Sequence, residues 1–412
     1  MGGIVGYIGK SRAQNVMLSG LKRLEYRGYD SAGIVTLGVG GESSLLKVKG
    51  KVAQLEQLVS QHQNDDHVGI GHTRWATHGA PSEINAHPQQ AGDIFLVHNG
   101  IIENYRELKE QLTEHKFVSD TDTEVLAALI ESFYKKDVSL LGAVSQALKL
   151  VVGTYGIAVV SQRQPDEIIV ARLGSPLVIG LGHDENLIAS DASALLGYTD
   201  QAIYLNDGEL ARVTRDDVQM FDLATQPINK RVETIETDLA AIQKQGDEHL
   251  LLKESMEQPT SLASTLGGRL DAQDLTVKLG GLNLTNAELR DIQHVTIVGC
   301  GTAYHAGMLA AYYLEQMTDD VTIDVVIASE FRYRSTHMPV NSAALIVSQS
   351  GETADTLACL REIKKRGVPT IGIVNVVGST IAREVDGGIY VHAGPEISVA
   401  STKAFTSQVA SM

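Results

Sequence analysis

The spacing of apolar and polar positions changes several times along this chain. Residues 2–9 (Gly-Gly-Ile-Val-Gly-Tyr-Ile-Gly) form a short apolar run punctuated by glycine and predict a strand at the start. Val16, Met17, Gly20, Leu21 and Leu24 fall on one face of a helix expected over 13–26, before a strand at 34–37. An apolar strand starting at Val68 runs into a polar loop, and 94–104 reads as a second strand ending in polar residues. Residues 119–124 (Ser-Asp-Thr-Asp-Thr-Glu) precede an apolar helix at 125–134, so at least one of them is expected to cap it. From 155 to about 193, short alternating strands separated by turn residues suit a sandwich of sheets, which 202–213 and 218–221 complete.

The pattern then shifts. Residues 225 to about 285 are more polar, and 247–259 reads as a helix stopped by Pro259. Beyond them strands and helices alternate: a buried strand from residue 293 with a glycine turn and a helix through Met308, Leu309, Tyr312 and Leu314; a strand at 343–347 before a helix at 354–365; strands at 370–375 and 389–392. Such alternation predicts a parallel sheet with ligand loops at the carboxyl ends of its strands. The expected organisation is a first domain over 2–217, a connection over 218–285, and a second domain over 286–412.

With 412 residues there is room for two or three domains. The formal charge of −16, from 50 acidic against 34 basic residues, and the lack of a basic run interleaved with aromatics argue against nucleic acid as a partner. Cys300 and Cys359 lie in apolar surroundings without metal-ligand spacing and read as reduced core thiols. No apolar run approaches the ~18 residues of a membrane helix, and no basic region with a longer apolar run and cleavage site opens the chain. A cytoplasmic protein without a cofactor is expected. Because an initiator methionine is normally removed before a residue as small as glycine, the free α-amine of Gly2 should lie on an ordered, partly buried strand. An ordinary edge strand fits the same residues.

Four stretches carry candidate chemistry. Residues 27–33 place glycines around a small polar cluster, as a loop facing a site or a plain helix-to-strand connection would. Residues 68–79 lead into a loop with two histidines, an arginine and the sole tryptophan; Arg74 could hold a ligand carboxylate and the threonine hydroxyls could complete its hydrogen bonds, or the loop is merely capped around a satisfied histidine. His72, His78, His87 and His98 are close in sequence but match no zinc motif. Asn99-Gly100 would suit an oxyanion hole or, equally, a type I′ turn, and Asp122 could accept a ligand ammonium or cap its helix. In the second half Gly299 and Gly301 start a dinucleotide-like turn, but Tyr304 occupies the third glycine position. Ser348, Ser350 and Thr353 bring hydroxyls to a helix N-terminus, a donor set suited to a phosphate monoester or a generous N-cap.

Taken together, Gly-Ile-Val-Gly at the terminus, Arg27-Gly-Tyr-Asp-Ser-Ala-Gly33, His72-Thr-Arg-Trp-Ala-Thr-His-Gly79, His98-Asn-Gly-Ile-Ile-Glu-Asn104 and Thr121-Asp-Thr-Glu124 resemble the class II glutamine amidotransferases, and the remainder is similar to the glutamine–fructose-6-phosphate aminotransferase (isomerizing) family. The resemblance runs over the whole chain. It implies a four-layer α/β/β/α N-terminal nucleophile domain followed by a flavodoxin-like sugar-isomerase domain. It further implies glutamine held by Arg74, Thr77, His78 and Asp122, an oxyanion hole at Asn99 and Gly100, and sugar phosphate bound by Thr302, Ser348, Gln349, Ser350 and Thr353, with Val399 to Ser401 lining the same pocket. Glutamine and fructose 6-phosphate would be the small-molecule partners, a homodimer the assembly, and glucosamine 6-phosphate the product.

Three departures from the resemblance stand out. The family has at position 2 a cysteine whose thiolate attacks the glutamine amide; here Gly2 supplies no nucleophile, so binding would outlast hydrolysis. Where the family commonly has serine, Ala303 removes one hydroxyl. The chain also stops before a second sugar-isomerase subdomain, which in the family carries the imine-forming lysine; residues 404–412 read as a helix without a C-cap glycine. A sugar domain cut there would expose apolar surface and self-associate. The expected function is therefore amide transfer to fructose 6-phosphate with ketose–aldose isomerisation, silent in the chain as written. The alternative is a binding or regulatory paralogue. An amidophosphoribosyltransferase-like enzyme would share only the first domain, and the 348–353 loop argues against it.

Overall fold

The computed structural model describes residues 2–25, 28–76, 78–235, 247–271, 276–334 and 337–412. The chain divides into two compact units, Met1–Leu239 and Ala240–Met412. The first runs β1 (Gly3–Gly9), α1 (Ala13–Leu24), β2 (Ser31–Leu37), β3 (Ser43–Lys49), α2 (Val52–Gln61), β4 (Val68–Arg74), β5 (Gln89–Ala91), β6 (Ile94–Ile102), α3 (Tyr105–Gln111), α4 (Asp122–Phe133) and α5 (Leu140–Leu148). It continues with β7 (Gly153–Ser161), β8 (Gln164–Leu173), β9 (Val178–Leu181), β10 (Glu185–Ala189), β11 (Gln201–Tyr204), β12 (Glu209–Val213), β13 (Val218–Asp222), β14 (Pro227–Ile228) and β15 (Glu233–Thr234).

Two sheets result, in the orders β15-β11-β9-β10-β1-β4-β2-β3 and β14-β13-β12-β8-β7-β6-β5. Period-two alternation decides which face each side chain joins. On β6, Phe95 and Val97 meet Ile4, Ile8 and Ile70 of the other sheet, whereas Ile94 and Leu96 join the α4 and α5 core with Val125, Leu129 and Val144. Every one of these side chains is almost fully buried, at about 1.5–3 kcal/mol each for a large apolar group. On the far face of the first sheet α1 lies so close to β1 that a Cβ on Gly20 would come within 2.9 Å of Val5. The layers are therefore helix, sheet, sheet, helix, as the resemblance implies.

Several expected boundaries move. Helix α1 ends at Leu24 rather than 26, Tyr26 and Arg27 lying outside the described residues. Ser31, Ala32 and Gly33 belong to β2, and His72, Thr73 and Arg74 to β4, because the ladder continues past the apolar run: Ser31 pairs with Arg74 and Gly33 with His72. Asn99 and Gly100 form no type I′ turn; they lie within β6, opposite Gly156 and Tyr155. Strand β13 pairs with β12, inside the first unit rather than in a connection starting at 218.

The second unit opens with α6 (Leu250–Met256), α7 (Gln258–Leu266), β16 (Leu270–Asp271), β17 (Thr276–Val277) and α8 (Asn286–Asp291). It continues with β18 (His294–Gly299), α9 (Thr302–Met317), β19 (Thr322–Ile327), α10 (Ala328–Phe331), β20 (Ser342–Ser348), α11 (Ala354–Lys365), β21 (Thr370–Val374), α12 (Thr380–Glu384), β22 (Gly387–Tyr390) and α13 (Lys403–Ser411). Pro259 starts α7 instead of merely stopping α6, as a ring without an N–H can in a first helical turn. The five parallel strands are ordered β19-β18-β20-β21-β22, so the order reverses between β18 and β20. Cys359 is a buried free thiol as expected, but Cys300, at the end of β18, is only half-buried. No helix among the described residues is long and apolar enough to cross a membrane.

Candidate functional site

The first candidate site lies at one end of the space between the two sheets of the first unit. Alternation carries the faces of Ile4, Ile70 and Val97 on to Gly2, His72 with Arg74, and Asn99. Gly2 is buried, and its carbonyl accepts a 2.8 Å hydrogen bond from Asn99 Nδ2. The adjacent backbone is fixed by Gly3 N donating to Thr73 Oγ1 at 3.0 Å and Ile4 N to Ser190 Oγ at 3.0 Å. A Cβ built on Gly2 would lie 2.1 Å from the Thr73 carbonyl oxygen and 2.8 Å from the His72 ring. Gly100, at φ +140° with a hypothetical Cβ 2.0 Å from Thr154 O, is a position only glycine fits.

Arg74 is 4% exposed, and its Nη2 donates to the carbonyls of His78 and Gly79, holding the following loop against the strand end. Its Nη1 is buried without a hydrogen-bond partner. Burial lowers the Arg74 pKa while Asp30 and Asp122 oppose that shift, and a guanidinium stays charged regardless. Asp30 braces the same loop by accepting from Ala76 N and from Ser31 Oγ. Asp122 opens α4, where the helix dipole favours a carboxylate, and is 3% exposed. The cap itself is Thr121, accepting from Glu124 N at 3.2 Å. Asp122 Oδ2 accepts from Ile102 N at 2.9 Å, which leaves Oδ1 for a ligand. His78 sits edge-on to Tyr105 with ring centroids 5.1 Å apart. Thr77 lies outside the described residues.

Three further histidines are neutral. Burial drives His72 down to about 3 and lowers His87 and His98 from the ordinary histidine range. His98 faces the helices, bonding Thr123 Oγ1 at 3.1 Å, whereas His72 reaches Asn99 Oδ1 at 3.0 Å. Asp30 and Ser190 are parts of this site that sequence reasoning missed. Asp30 stood inside a singled-out motif; Ser190 had no local signal, its bond to Ile4 spanning 186 residues.

The second candidate site lies in the other unit, where strand order reverses and ligands of open α/β sheets bind outside the strand carboxyl ends. Thr302 starts α9 just after Gly301 at φ +57°, and buried Ser348 ends β20. Ser348 Oγ accepts from Gly351 N at 3.0 Å and lies 3.2 Å from Thr353 Oγ1; Ser350 Oγ accepts from Glu352 N at 3.1 Å. The loop is tight: Gly351 has φ +66°, and a Cβ there would strike Ser379 Oγ. Thr353 is the N-cap residue of α11 but makes no side-chain cap bond, so first-turn N–H groups remain for an anion. The Gln349 carbonyl is bonded by Asn375 N at 3.3 Å. Two expected residues are less engaged: Val399 is 89% exposed, and Ser401 Oγ donates to Glu396 at 2.6 Å.

The family model described as a glutamine amidotransferase domain matches residues 58–250, and the SIS domain model matches residues 288–412. The chain is 50% identical to a glutamine–fructose-6-phosphate aminotransferase (isomerizing) of Chlorobaculum tepidum over 99% of this chain and 68% of that protein. It is 48% identical to one of Thermus thermophilus over 100% of this chain and 67% of that protein. Among solved structures it is similar to a glutamine phosphoribosylpyrophosphate amidotransferase from B. subtilis, with 18% identity and a TM-score of 0.49 over 99% of this chain and 92% of that one.

Proposed function

Since this chain belongs to the glutamine–fructose-6-phosphate aminotransferase (isomerizing) family, we propose that its first unit binds L-glutamine and its second the phosphate of fructose 6-phosphate, without cleaving the amide. The observation that carries the reading is the pair of unsatisfied charges beside Gly2. A buried guanidinium N–H of Arg74 lacks an acceptor, and Asp122, 3% exposed as a residue, has one carboxylate oxygen taken by Ile102 N and the other left for a ligand. An amino-acid zwitterion supplies both, its α-carboxylate to Arg74 and its α-ammonium to Asp122. The side-chain amide then extends toward Gly2 and Asn99. Asn99 NH₂ has two hydrogens, one engaged by the Gly2 carbonyl and the other free for the substrate carbonyl oxygen.

In the family reaction a side chain at position 2 would add to that carbonyl, which then becomes an oxyanion held by Asn99 and Gly100. Gly2 offers no atom to form that bond. The donors remain, so the unit holds and polarises glutamine while the C–N bond stays intact. Glucosamine 6-phosphate synthesis is thus the family's reaction, and substrate binding is the part this chain's own residues support. A catalytically silent binding or regulatory relative is favoured by the same Gly2. In the second unit, Thr302, Ser348, Gln349, Ser350 and Thr353 would surround a phosphate at the reversal of strand order, with homodimerisation and a cytoplasmic setting completing the reading.

The test is isothermal titration of the chain with L-glutamine and, separately, with fructose 6-phosphate. Saturable binding of both is expected. Failure of either ligand to bind at millimolar concentration would refute the corresponding half.

A further inference from the structure

His72 is almost fully buried and lies on the same strand face as Ile70 and Arg74, where the alternation of β4 would otherwise continue the intersheet core. We infer that His72 is a positioning residue for glutamine chemistry in this fold: its Nε2–H locks the Asn99 amide in the one orientation that aims NH₂ at the substrate carbonyl. The inference rests on the glutamine reading above and goes beyond it, since His72 itself touches no substrate.

The Gly2 carbonyl can only accept a hydrogen bond. It lies 2.8 Å from the Asn99 amide, so the amide must turn its NH₂ to Gly2. Asn99 Oδ1 then faces His72 Nε2 at 3.0 Å, and an amide oxygen can only accept. Nε2 therefore carries the hydrogen. Nδ1 is buried with no hydrogen-bond partner, as suits a bare ring nitrogen far better than a second N–H. A doubly protonated ring would place that second N–H, and a charge, in the same dry space. The groups around it oppose the charge as well: the His87 ring is stacked at 4.5 Å, and Arg74 and His98 are near. His72 is thus held as the neutral Nε2–H tautomer, whose single donor is committed to Asn99.

The opposite amide orientation would set Asn99 Oδ1 against the Gly2 carbonyl, oxygen to oxygen, and present the same oxygen to the substrate. An oxyanion formed there would meet a lone pair in place of a hydrogen. Leucine at position 72 could fill a similar space but would leave Asn99 Oδ1 without a donor and the Gly2 carbonyl as the remaining contact that orients the amide. Glutamine, with a neutral N–H donor on a flexible stem, could replace that donor in part.

Two measurements on the full chain test this. Nitrogen-15 labelling of histidine, read by long-range proton–nitrogen correlation, should show His72 as the Nε2–H tautomer, unprotonated from pH 8 to pH 5. The Nδ1–H tautomer, or protonation in that range, overturns the inference whatever becomes of the glutamine reading. In a Gly2→Cys background, His72→Leu should lower kcat for glutamate release on the order of 10²-fold, the loss typical of one oxyanion donor. KM should change less than about twofold, and His72→Gln should recover at least ~10-fold of the lost kcat. Equal kcat in all three, or kcat and KM lost together with no rescue by Gln, overturns the inference. If Gly2→Cys itself releases no glutamate, the function reading fails at that step and the tautomer result alone decides the role of His72.

Discussion

Replacing Gly2 by cysteine is the most informative perturbation of this chain. Built on the observed backbone, the new Cβ would lie 2.1 Å from Thr73 O and 2.8 Å from His72 Cε1 and Nε2, so the residue must move. A movement that leaves the sheet intact exists. Gly2 precedes β1, and its N–H makes no hydrogen bond among the described residues. Rotation about its Cα–C bond therefore swings the side chain away from Thr73 while the carbonyl keeps its bond to Asn99. The cost is one torsion, about 1 kcal/mol, small against what a nucleophile contributes. Loss of a covalent nucleophile lowers kcat by ~10⁴- to 10⁶-fold in comparable enzymes, and 10³-fold already corresponds to ~4 kcal/mol of barrier. Gly2→Cys should thus release glutamate from saturating glutamine at least ~10³ times faster than the parent chain, by a coupled glutamate dehydrogenase assay. Mass spectrometry must show that the tested chain begins at residue 2. A folded Gly2→Cys chain that binds glutamine yet gains no activity would refute the view that the missing nucleophile is the only defect.

Other consequences follow from the same geometry. Arg74→Lys keeps a charge but loses the planar fork, and should weaken L-glutamine binding by ~10- to 100-fold in calorimetry, with fructose 6-phosphate binding unchanged. Gly100→Ala sits mid-strand at φ +140°, where no free torsion relieves a Cβ 2.0 Å from a backbone oxygen; denaturant unfolding should show a loss of about 3 kcal/mol. His72, His87 and His98 all have pKa values lowered by burial, so the unfolded chain binds more protons once pH falls below the ordinary histidine value of ~6.5. Stability present above that pH should be lost as pH falls, at ~1.4 kcal/mol per pH unit per histidine, and continues to be lost toward about 3 for His72. His72→Gln should make urea unfolding between pH 6 and pH 5 less pH-dependent by about one proton. In the second unit, Thr353→Val should cut fructose 6-phosphate affinity by about 10-fold, the worth of one hydrogen bond, without altering glutamine binding.

Much of this architecture was legible because one residue type settled each local choice. The 354–365 helix follows a Ser/Thr/Gly loop and runs Ala354–Lys365. Glycine at position 2, the donors Arg74 and Asn99 and the acceptor Asp122 were visible as motif residues. Strand ends at the site were not, because His72, Thr73, Arg74, Asn99 and Gly100 break the apolar pattern while their backbones stay in the ladder. Pro259 was ambiguous by nature, since proline follows one helix as readily as it begins another. The orienting contact of His72 joins strands 27 residues apart, and the unpartnered Nη1 of Arg74 is a property of three-dimensional packing; neither has any one-dimensional signature.

The central claim, that the first unit retains a glutamine site and lacks only the means to cleave glutamine, is tested most directly on the unmodified chain. Calorimetric titration with L-glutamine, using D-glutamine as control and assaying glutamate in the same cell afterwards, reads both halves at once. The account predicts saturable heat for the L-isomer only, abolished by Arg74→Ala, with no glutamate above the protein-free blank. Absence of binding, or glutamate release by the Gly2 chain at the rate of Gly2→Cys, would contradict it.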